Sequence, residues 1–335
     1  MQNVVIAGRE DSFFIGPYAR AFEAAGFSCT LVNTHTGFFY HSPFLRRMVR
    51  LLPLLRFIKT RAARSSNARL LERVTTLRPR LVLCIKAENI SPETIAAMKR
   101  TGTITALVFV DLMDHWEFIK TMAPLYDYFF TIDMLILKRL RDELELNNAF
   151  YLPLATEPMP DPFADRTDRY PVSFIGTHNP ALYPHREDYF SELKDLGLHI
   201  WGSEGWARSS LKKYFQGRSV GDQRFAIYAQ SKIVVDSNWE EMPAEGLSDR
   251  PFEVMGCGAL FVTDGIRADI RRLYDEGTEV IVYKDKDDLK KKVAYYLAHE
   301  GEREKIAMAG YQKTLSQHTF TARTTQILNI INEKS

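Results

Sequence analysis

The sequence is poor in cysteine: three among 335 residues, at positions 29, 84 and 257. They lie far apart and no C-x-x-C occurs, which argues against a disulfide framework or a zinc site and fits a reducing cytoplasm. No apolar run approaches the roughly 18 residues that a membrane-spanning helix needs. The first apolar run, residues 4–8, is followed at once by charged residues and does not fit a signal peptide. We therefore expect a cytoplasmic protein.

A nucleotide-binding glycine pattern is also missing from the start of the chain. No G-x-G-x-x-G follows the first apolar run, where the sequence reads GREDSF. This disfavours a Rossmann oxidoreductase that binds a dinucleotide there.

Charge of either sign is nearly balanced, with a formal net charge of +2, but its distribution is uneven. Positions 46–80 hold eleven Lys or Arg residues and one acid, Glu72. Two interpretations of the basic segment 44–74 stay open: a helix that lies on anionic lipid at the inner face of the membrane, and a solvated basic face or a patch for an anionic glycan. Nucleic acid is disfavoured as a partner because no aromatic interleaving or known module accompanies the charge.

Short apolar runs alternate with helical segments along the whole chain, which is typical of parallel sheets covered by helices on both faces. The segment YLPLATEPMPDP, residues 151–162, contains four prolines and predicts a linker. We expect an α/β fold of two Rossmann-like units, 1–155 and 156–318, with ligands bound in a cleft at the carboxyl ends of the strands. A last segment, 319–335, is predicted to be a helix that packs on the first unit through Ile327, Leu328, Ile330 and Ile331.

Two carboxylates stand eight positions apart in the segment EGLSDRPFEVMGCG, residues 245–258. Glu245 lies on a glycine-containing loop and Glu253 near the start of a predicted helix. Free backbone N–H groups at such a loop suit a phosphate, a carboxylate can accept both hydroxyls of a ribose, and Arg250 can neutralise phosphate charge.

This segment resembles the E-x7-E signature of family 4-type retaining glycosyltransferases of the GT-B fold. More closely, RPFEVMGCGALFVTD resembles the R-x-F-E-x-x-x-C-G block of CgeB-type glycosyltransferases. The strand and glycine VSFIG, the segment LGLHIWG and the strand YAQSKIVV are similar to that family as well. The resemblance implies two Rossmann-like domains that face each other across a cleft, the first binding the acceptor and the second the nucleotide-sugar donor.

The resemblance also implies roles for single residues. Glu253 matches the glutamate that binds the ribose, and Glu245 matches the one beside the transferred sugar. The remaining donor-binding candidates are Gly176, Thr177, His178, Arg186, Gly217, Arg218, Lys232, Gly246, Leu247, Ser248 and Arg250.

The implied reaction moves a sugar from a nucleotide-diphosphate sugar to a glycan, lipid-linked or protein acceptor, with retention and without a metal or other cofactor. The first unit would hold the acceptor, with Asp111 and His115 as catalytic candidates; an inverting reaction would need Asp111, Asp114 or His115 as a base. The alternative from another class is an inactive GT-B protein that binds a nucleotide or glycan or serves as a scaffold.

Overall fold

The computed structural model describes residues 2–10, 12–35, 56–164, 167–219, 221–238 and 242–334. The chain divides into two compact units. Residues 1–153 form the first unit together with residues 320–335, and residues 154–319 form the second.

Strands and helices alternate as the apolar pattern predicts. The strands are β1 (Asn3–Gly8), β2 (Ser28–Asn33), β3 (Leu81–Ile85), β4 (Ile104–Phe109), β5 (Tyr128–Thr131), β6 (Ala149–Tyr151), β7 (Tyr170–Gly176), β8 (Leu198–Gly202), β9 (Ser231–Val235), β10 (Leu260–Thr263) and β11 (Ile281–Val282). The α-helices are α1 (Ile15–Ala24), α2 (Arg56–Leu77), α3 (Pro92–Arg100), α4 (Trp116–Met122), α5 (Met134–Leu144), α6 (Arg186–Ser191), α7 (Gln223–Ala229), α8 (Arg250–Gly256), α9 (Asp269–Leu273), α10 (Lys286–Ala298), α11 (Glu300–Gln317) and α12 (Phe320–Lys334).

Each unit is built on one parallel sheet. The strand order is β2-β1-β3-β4-β5-β6 in the first unit and β11-β10-β9-β7-β8 in the second. In both, the first strand lies second from one edge of the sheet: the second strand pairs with it at that edge, and the third pairs with it on the other side, where the remaining strands follow. In open α/β sheets a ligand binds outside the carboxyl ends of the strands at this switch point, which is β1/β3 in one unit and β7/β9 in the other.

The strands of the first sheet are apolar because both faces are covered. Every residue of β3 is buried, and so is every residue of β5. The sequence Ser91-Pro92 predicts the start of a helix, and α3 begins there: the Ser91 side chain accepts a hydrogen bond from the backbone N–H of Thr94, and Pro92 takes the first helical position.

Some predicted boundaries differ from the structure. The sequence pattern predicts one helix over 185–196, but the helix ends at Ser191 and is followed by a 3₁₀ turn, Lys194–Leu196. The pattern predicts a strand over 279–283, but strand pairing extends only over Ile281–Val282 at the edge of the sheet. The sequence also predicts a mostly helical segment over 44–74 that Pro53 interrupts; the part from residue 56 is one continuous helix, and residues 44–55 lie outside the described residues.

Helix α12 lies in the first unit and packs on α1. The Phe320 ring meets Tyr18 edge to face at 5.1 Å between centroids, and Arg323 Nε donates to the carbonyl oxygen of Pro153 at 2.6 Å. Of the four apolar residues expected to be buried, Ile327 and Ile331 are fully buried, whereas Leu328 and Ile330 are half-buried. The fully buried face of α12 therefore includes two of the four predicted residues, Ile327 and Ile331.

Among the helices that the structure describes, none combines the length and apolar character that crossing a bilayer requires.

Candidate functional site

Charged side chains gather at the switch point of the second sheet. Gly176 ends β7, and Asp236 follows the last residue of β9. The Asp236 carboxylate accepts from the guanidinium of Arg250, the first residue of α8, and from the backbone N–H of Ser237 at 2.8 Å. Asp236 is buried, while one fifth of the Arg250 side chain stays exposed. Burial alone would lower the pKa of Arg250, but the Asp236 carboxylate outweighs this effect and raises the pKa, so Arg250 stays positively charged.

Two arginines share the ring of Phe174 at this point. The guanidinium of Arg250 lies 5.3 Å and that of Arg186 lies 5.1 Å from the ring centroid. Arg186 is buried and donates to the backbone carbonyls of Thr177, at 2.7 Å, and Ser237. Burial, and then the nearby Arg250, lower the pKa of Arg186 to about 10. Arg186 thus ties together the loops that leave β7 and β9, and Arg250 is the more exposed cation of the pair.

The β7 loop is held in place by its own side chains. The backbone N–H of His178 donates to Ser203 Oγ at 2.9 Å, and its Nε2 lies 2.7 Å from Glu187 Oε2. The His178 ring packs against Trp206, whose indole N–H donates to the Gly176 carbonyl oxygen at 2.9 Å. A Cβ at Gly176 would stand 3.2 Å from Arg250 Nη2, so glycine brings the backbone close to the cation.

Glu253, on the first turn of α8, is buried and engaged by one arginine. Arg224 Nε lies 2.9 Å from both carboxylate oxygens, and its Nη2 lies 2.7 Å from Oε1. Burial first, and then the Asp249 carboxylate, raise the pKa of Glu253 to about 7 against the opposing effect of Arg224.

The loop before α8 carries Glu245 and borders a narrow cavity that is too small to admit a water molecule. Glu245 Oε2 lies 3.2 Å from Arg272 Nη2. The buried Arg267 donates to the carbonyl oxygens of Met242 and Ala244, at 2.8 and 3.0 Å, and so fixes the backbone of the loop. The cavity is lined by Asp236, Asn238, Leu247, Ser248, Pro251, Thr263, Gly265, Arg267 and Ile270. Gly246 belongs to the same loop but is not among these lining residues.

Gly217 and Arg218 lie beside the carboxyl end of β8. Gly217 has a positive φ of 103°, no atom would lie within 4 Å of a Cβ there, and its carbonyl oxygen accepts from Gly202 N at 3.0 Å. Arg218 is exposed. Both therefore lie at the carboxyl end of the sheet, next to an open surface.

Lys232 does not join the other candidates. It stands at the amino end of β9, about 13 Å along the strand from Asp236 at about 3.3 Å per residue. Its Nζ lies 3.5 Å from Glu300 and 4.0 Å from Asp168. The resemblance implies an Arg and Lys pair that holds the diphosphate, and Lys232 is a candidate for it beside Arg186 and Arg250. The parallel sheet puts Lys232 at the opposite edge.

In the first unit, two candidate residues follow β4. Asp111 Oδ2 lies 2.9 Å from Lys86 Nζ, across the sheet from the end of β3. His115 packs edge-on against Phe109 and lies 3.7 Å from Asp114. Lys86 and Ala87 both have positive φ, 67° and 51°, which is strained backbone for residues with a Cβ. The strain stands at the β1/β3 switch point of that unit.

Sequence reasoning missed Asp236, Arg224 and Arg267. Asp236 had a signal, because it ends the apolar run KIVVD. Arg224 and Arg267 had none, since each acts on residues that are distant in sequence. Among the described residues no cluster of three or more His, Cys, Asp or Glu side chains is arranged to hold a metal ion.

Residues 186–329 match the model of a family described as Glycosyl transferase-like. Spore protein CgeB of Bacillus subtilis (strain 168) is 33% identical over an alignment of 203 residues, and the match covers 53% of this chain and 60% of that protein. The match therefore spans less than two thirds of the length of this curated relative.

Solved structures resemble both units in fold. A glycosyltransferase from Rickettsia africae ESF-5 matches with a TM-score of 0.64 at 11% identity, covering 99% of this chain and 98% of its own. Anabaena HepE, solved in complex with UDP and glucose, matches with a TM-score of 0.63 at 8% identity, covering 99% and 100%. The chain thus has the two parallel-sheet Rossmann-like units of the GT-B glycosyltransferases, and its residues 186–329 are similar to the family described as Glycosyl transferase-like.

Proposed function

We propose that the protein transfers a sugar from a nucleotide-diphosphate sugar to a glycan, lipid-linked or protein acceptor, with retention and with no metal cofactor. The observation that carries this proposal is the arrangement at the β7/β9 switch point. A fixed, partly exposed Arg250 stands there beside the bare backbone of Gly176, and a buried carboxylate, Glu253, lies one helical turn further on. Gly176 and Arg250 can thus bind the phosphates of a nucleotide, and Glu253 can accept hydrogen bonds from the ribose that adjoins them.

The donor is proposed to lie along the carboxyl end of the second sheet. Its diphosphate meets Gly176 and Arg250, its ribose meets Glu253, and its base lies by Gly217 and Arg218. The transferred sugar lies at the 245–248 loop. The UDP and glucose bound by HepE support a donor of this class.

Departure of the nucleoside diphosphate builds negative charge on the leaving phosphate. Arg250 is suited to stabilise that charge because Asp236 fixes it before the substrate arrives, so little reorganisation is needed. Arg186 contributes through position: it holds the Thr177 and Ser237 carbonyls and so the two loops beside the phosphate.

The acceptor is proposed to bind at the carboxyl end of the first sheet, near Asp111 and His115. In a retaining reaction the leaving phosphate helps to deprotonate the acceptor hydroxyl. Asp111, paired with Lys86 at 2.9 Å, then orients the acceptor and need not act as a base.

The exposed face of α2 is proposed to contact an anionic membrane from the cytoplasmic side. Phe57 is 64% exposed, and Arg61 and Arg64 are exposed on the same stretch of helix. Basic side chains beside an exposed aromatic ring suit an anionic lipid surface. Co-sedimentation with phosphatidylserine vesicles, but not with phosphatidylcholine vesicles, would support this contact. Equal sedimentation with both would count against it.

Thermal unfolding with UDP, ADP and GDP, followed by a transfer assay with the matching nucleotide sugars, tests the donor proposal. A nucleotide at 100 times its Kd should stabilise the fold by about 2.7 kcal/mol. Stabilisation by none of the three, together with absent sugar transfer, would refute it.

The assignment of Glu245 has its own test. Glu245→Gln should lower kcat at least tenfold and leave nucleotide affinity within about twofold, because the side chain faces the sugar and not the nucleotide. Glu276→Gln is the matched control, since Glu276 also sits in a half-exposed ion pair, with Arg271 at 2.7 Å. Normal turnover in Glu245→Gln would make Glu245 a loop residue.

A further inference from the structure

Arg224 and Glu253 form a side-on ion pair across 29 residues of sequence. Both carboxylate oxygens of Glu253 face the Nε and Nη2 edge of the Arg224 guanidinium, at 2.7 to 2.9 Å. The third nitrogen, Nη1, donates to the carbonyl oxygen of Gly221 at 2.9 Å. The guanidinium also lies over the Phe225 ring, 4.6 Å from its centroid. Arg224 is therefore held from three sides.

The carboxylate stands in surroundings that disfavour its charge. Glu253 is buried on α8, and Asp249, one turn earlier, adds a like charge. Tyr228 on α7 is buried nearby, with a pKa raised far above its ordinary value by burial. Opposing these are two cations, Arg224 and the more distant Arg250. Arg224 is the cation that touches the carboxylate, so it is the main support of its ionised form.

The pair does not use every acceptor position of the carboxylate. Oε1 accepts from both Nε and Nη2 of Arg224, whereas Oε2 accepts from Nε alone. A carboxylate offers about four acceptor positions, so the one that remains lies on Oε2, where a ribose hydroxyl can donate.

We propose that Arg224 is a positioning residue for the nucleotide ribose: it keeps the buried Glu253 ionised and in one orientation, with Oε2 left to accept from a ribose hydroxyl. This inference rests on the proposed function, because it needs a nucleotide at Glu253. It adds a residue to the donor site that lies outside the E-x7-E segment. It also ties the ribose position to the loop around Gly221, since the same guanidinium holds that carbonyl.

The experiment compares two nucleotides on two variants by calorimetry. Wild type and Arg224→Gln are titrated with whichever of UDP, ADP or GDP binds wild type, and with its 2′,3′-dideoxy counterpart. Arg224→Gln should weaken the parent nucleotide about tenfold, the loss of one good hydrogen bond to a charged group, and the dideoxy nucleotide less than about twofold. Arg224→Lys, which keeps the charge but not the two-point contact, should fall between.

An arginine that only joined α7 to α8 would give another pattern, with both nucleotides weakened equally. That result, or an unchanged affinity for the parent nucleotide, overturns the inference. Should Arg224→Gln fail to fold, the comparison of Arg224→Lys with wild type decides by the same ratio. A wild type that binds no nucleoside diphosphate overturns the donor proposal and this inference with it, whereas normal wild-type binding with an unaffected variant overturns the inference alone. Arg271→Gln, which breaks a surface ion pair with Glu276, is the control and should change neither affinity.

Discussion

A Cβ at Gly202 would overlap the carbonyl oxygen of Gly176 and lie 2.7 Å from its carbonyl carbon. The two glycines are paired at the carboxyl ends of β7 and β8. Only hydrogen fits between these strand ends, and this closeness keeps the Gly176 backbone beside Arg250. The substitution Gly202→Ala should therefore disturb both the sheet and the site.

We expect Gly202→Ala to lower the free energy of unfolding by about 2 to 5 kcal/mol, since the strand end must move and the φ of 143° is strained for alanine. Urea denaturation measures it. Gly277→Ala is the control, because Gly277 also has a positive φ, 85°, but no atom would lie within 4 Å of its Cβ. It should cost only about 1 to 2 kcal/mol. Equal losses in the two variants would show that backbone strain and not the contact with Gly176 is decisive.

Removing the carboxylate of Asp236 should leave Arg250 as an uncompensated charge. We expect Asp236→Asn to lower the free energy of unfolding by about 3 kcal/mol, at the low end for buried pairs because Arg250 is partly exposed. In the double variant with Arg250→Met much of that loss should return, since no charge remains to be desolvated. Losses that simply add in the double variant would contradict this account.

Acidification should weaken nucleotide binding through Glu253. Its pKa is raised from 4.5 to about 7, so the ribose-accepting carboxylate is ionised above that pH and protonated below it. The Kd for the nucleotide should rise as the pH falls from 8 to 6. The free energy of unfolding should rise as the pH falls from 7 to 4.5, because the folded protein holds a proton on Glu253 in that window while the unfolded chain does not. Glu253→Gln is the control for titration of the phosphate itself. A pH dependence of Kd that is the same in Glu253→Gln would sink the assignment.

The terminal helix should be needed by the first unit. Ile327→Ala should lower the free energy of unfolding by about 2 to 5 kcal/mol, because the side chain is fully buried against that unit. Ile330→Ala, on the half-buried side of the same helix, should cost about 1 kcal/mol or less. Deletion after Gln317 should exceed either. Thermal unfolding of the three proteins measures this, and an unchanged melting temperature on deletion would refute it.

Lys232 and Asp236 show how far sequence reasoning reaches. Apolar periodicity predicted their strand, and the alternation of strands with helices predicted a parallel sheet. Lys232 lies at the amino end of that strand and Asp236 follows its carboxyl end, so the direction of the chain within the sheet decides which of them is near the switch point. The sequence analysis includes Lys232 among the donor candidates and omits Asp236, although the rule that ligands bind outside the carboxyl ends of the strands points to Asp236.

Arg224 marks the limit of that reasoning. The E-x7-E spacing drew attention to Glu253, because both glutamates lie in one short segment. Nothing local distinguishes Arg224 from the other arginines, since its role depends on α7 and α8 packing side by side. Burial and pKa are likewise properties of the packed unit and not of the segment.

The two sheets share a strand order, so the two halves of the chain have similar folds, although the amino-acid sequence shows no internal repeat. The counterpart of β1 is β7, and that of β3 is β9, so Lys86 stands after one central strand where Asp236 stands after the other. Each half pairs this residue with an opposite charge, Lys86 with Asp111 and Asp236 with Arg250, and the signs are reversed. The same backbone arrangement thus places a cation in one half and an anion in the other at equivalent positions. The charge at this position, and with it the ligand that is bound, can therefore change in one half while the backbone of both halves stays the same.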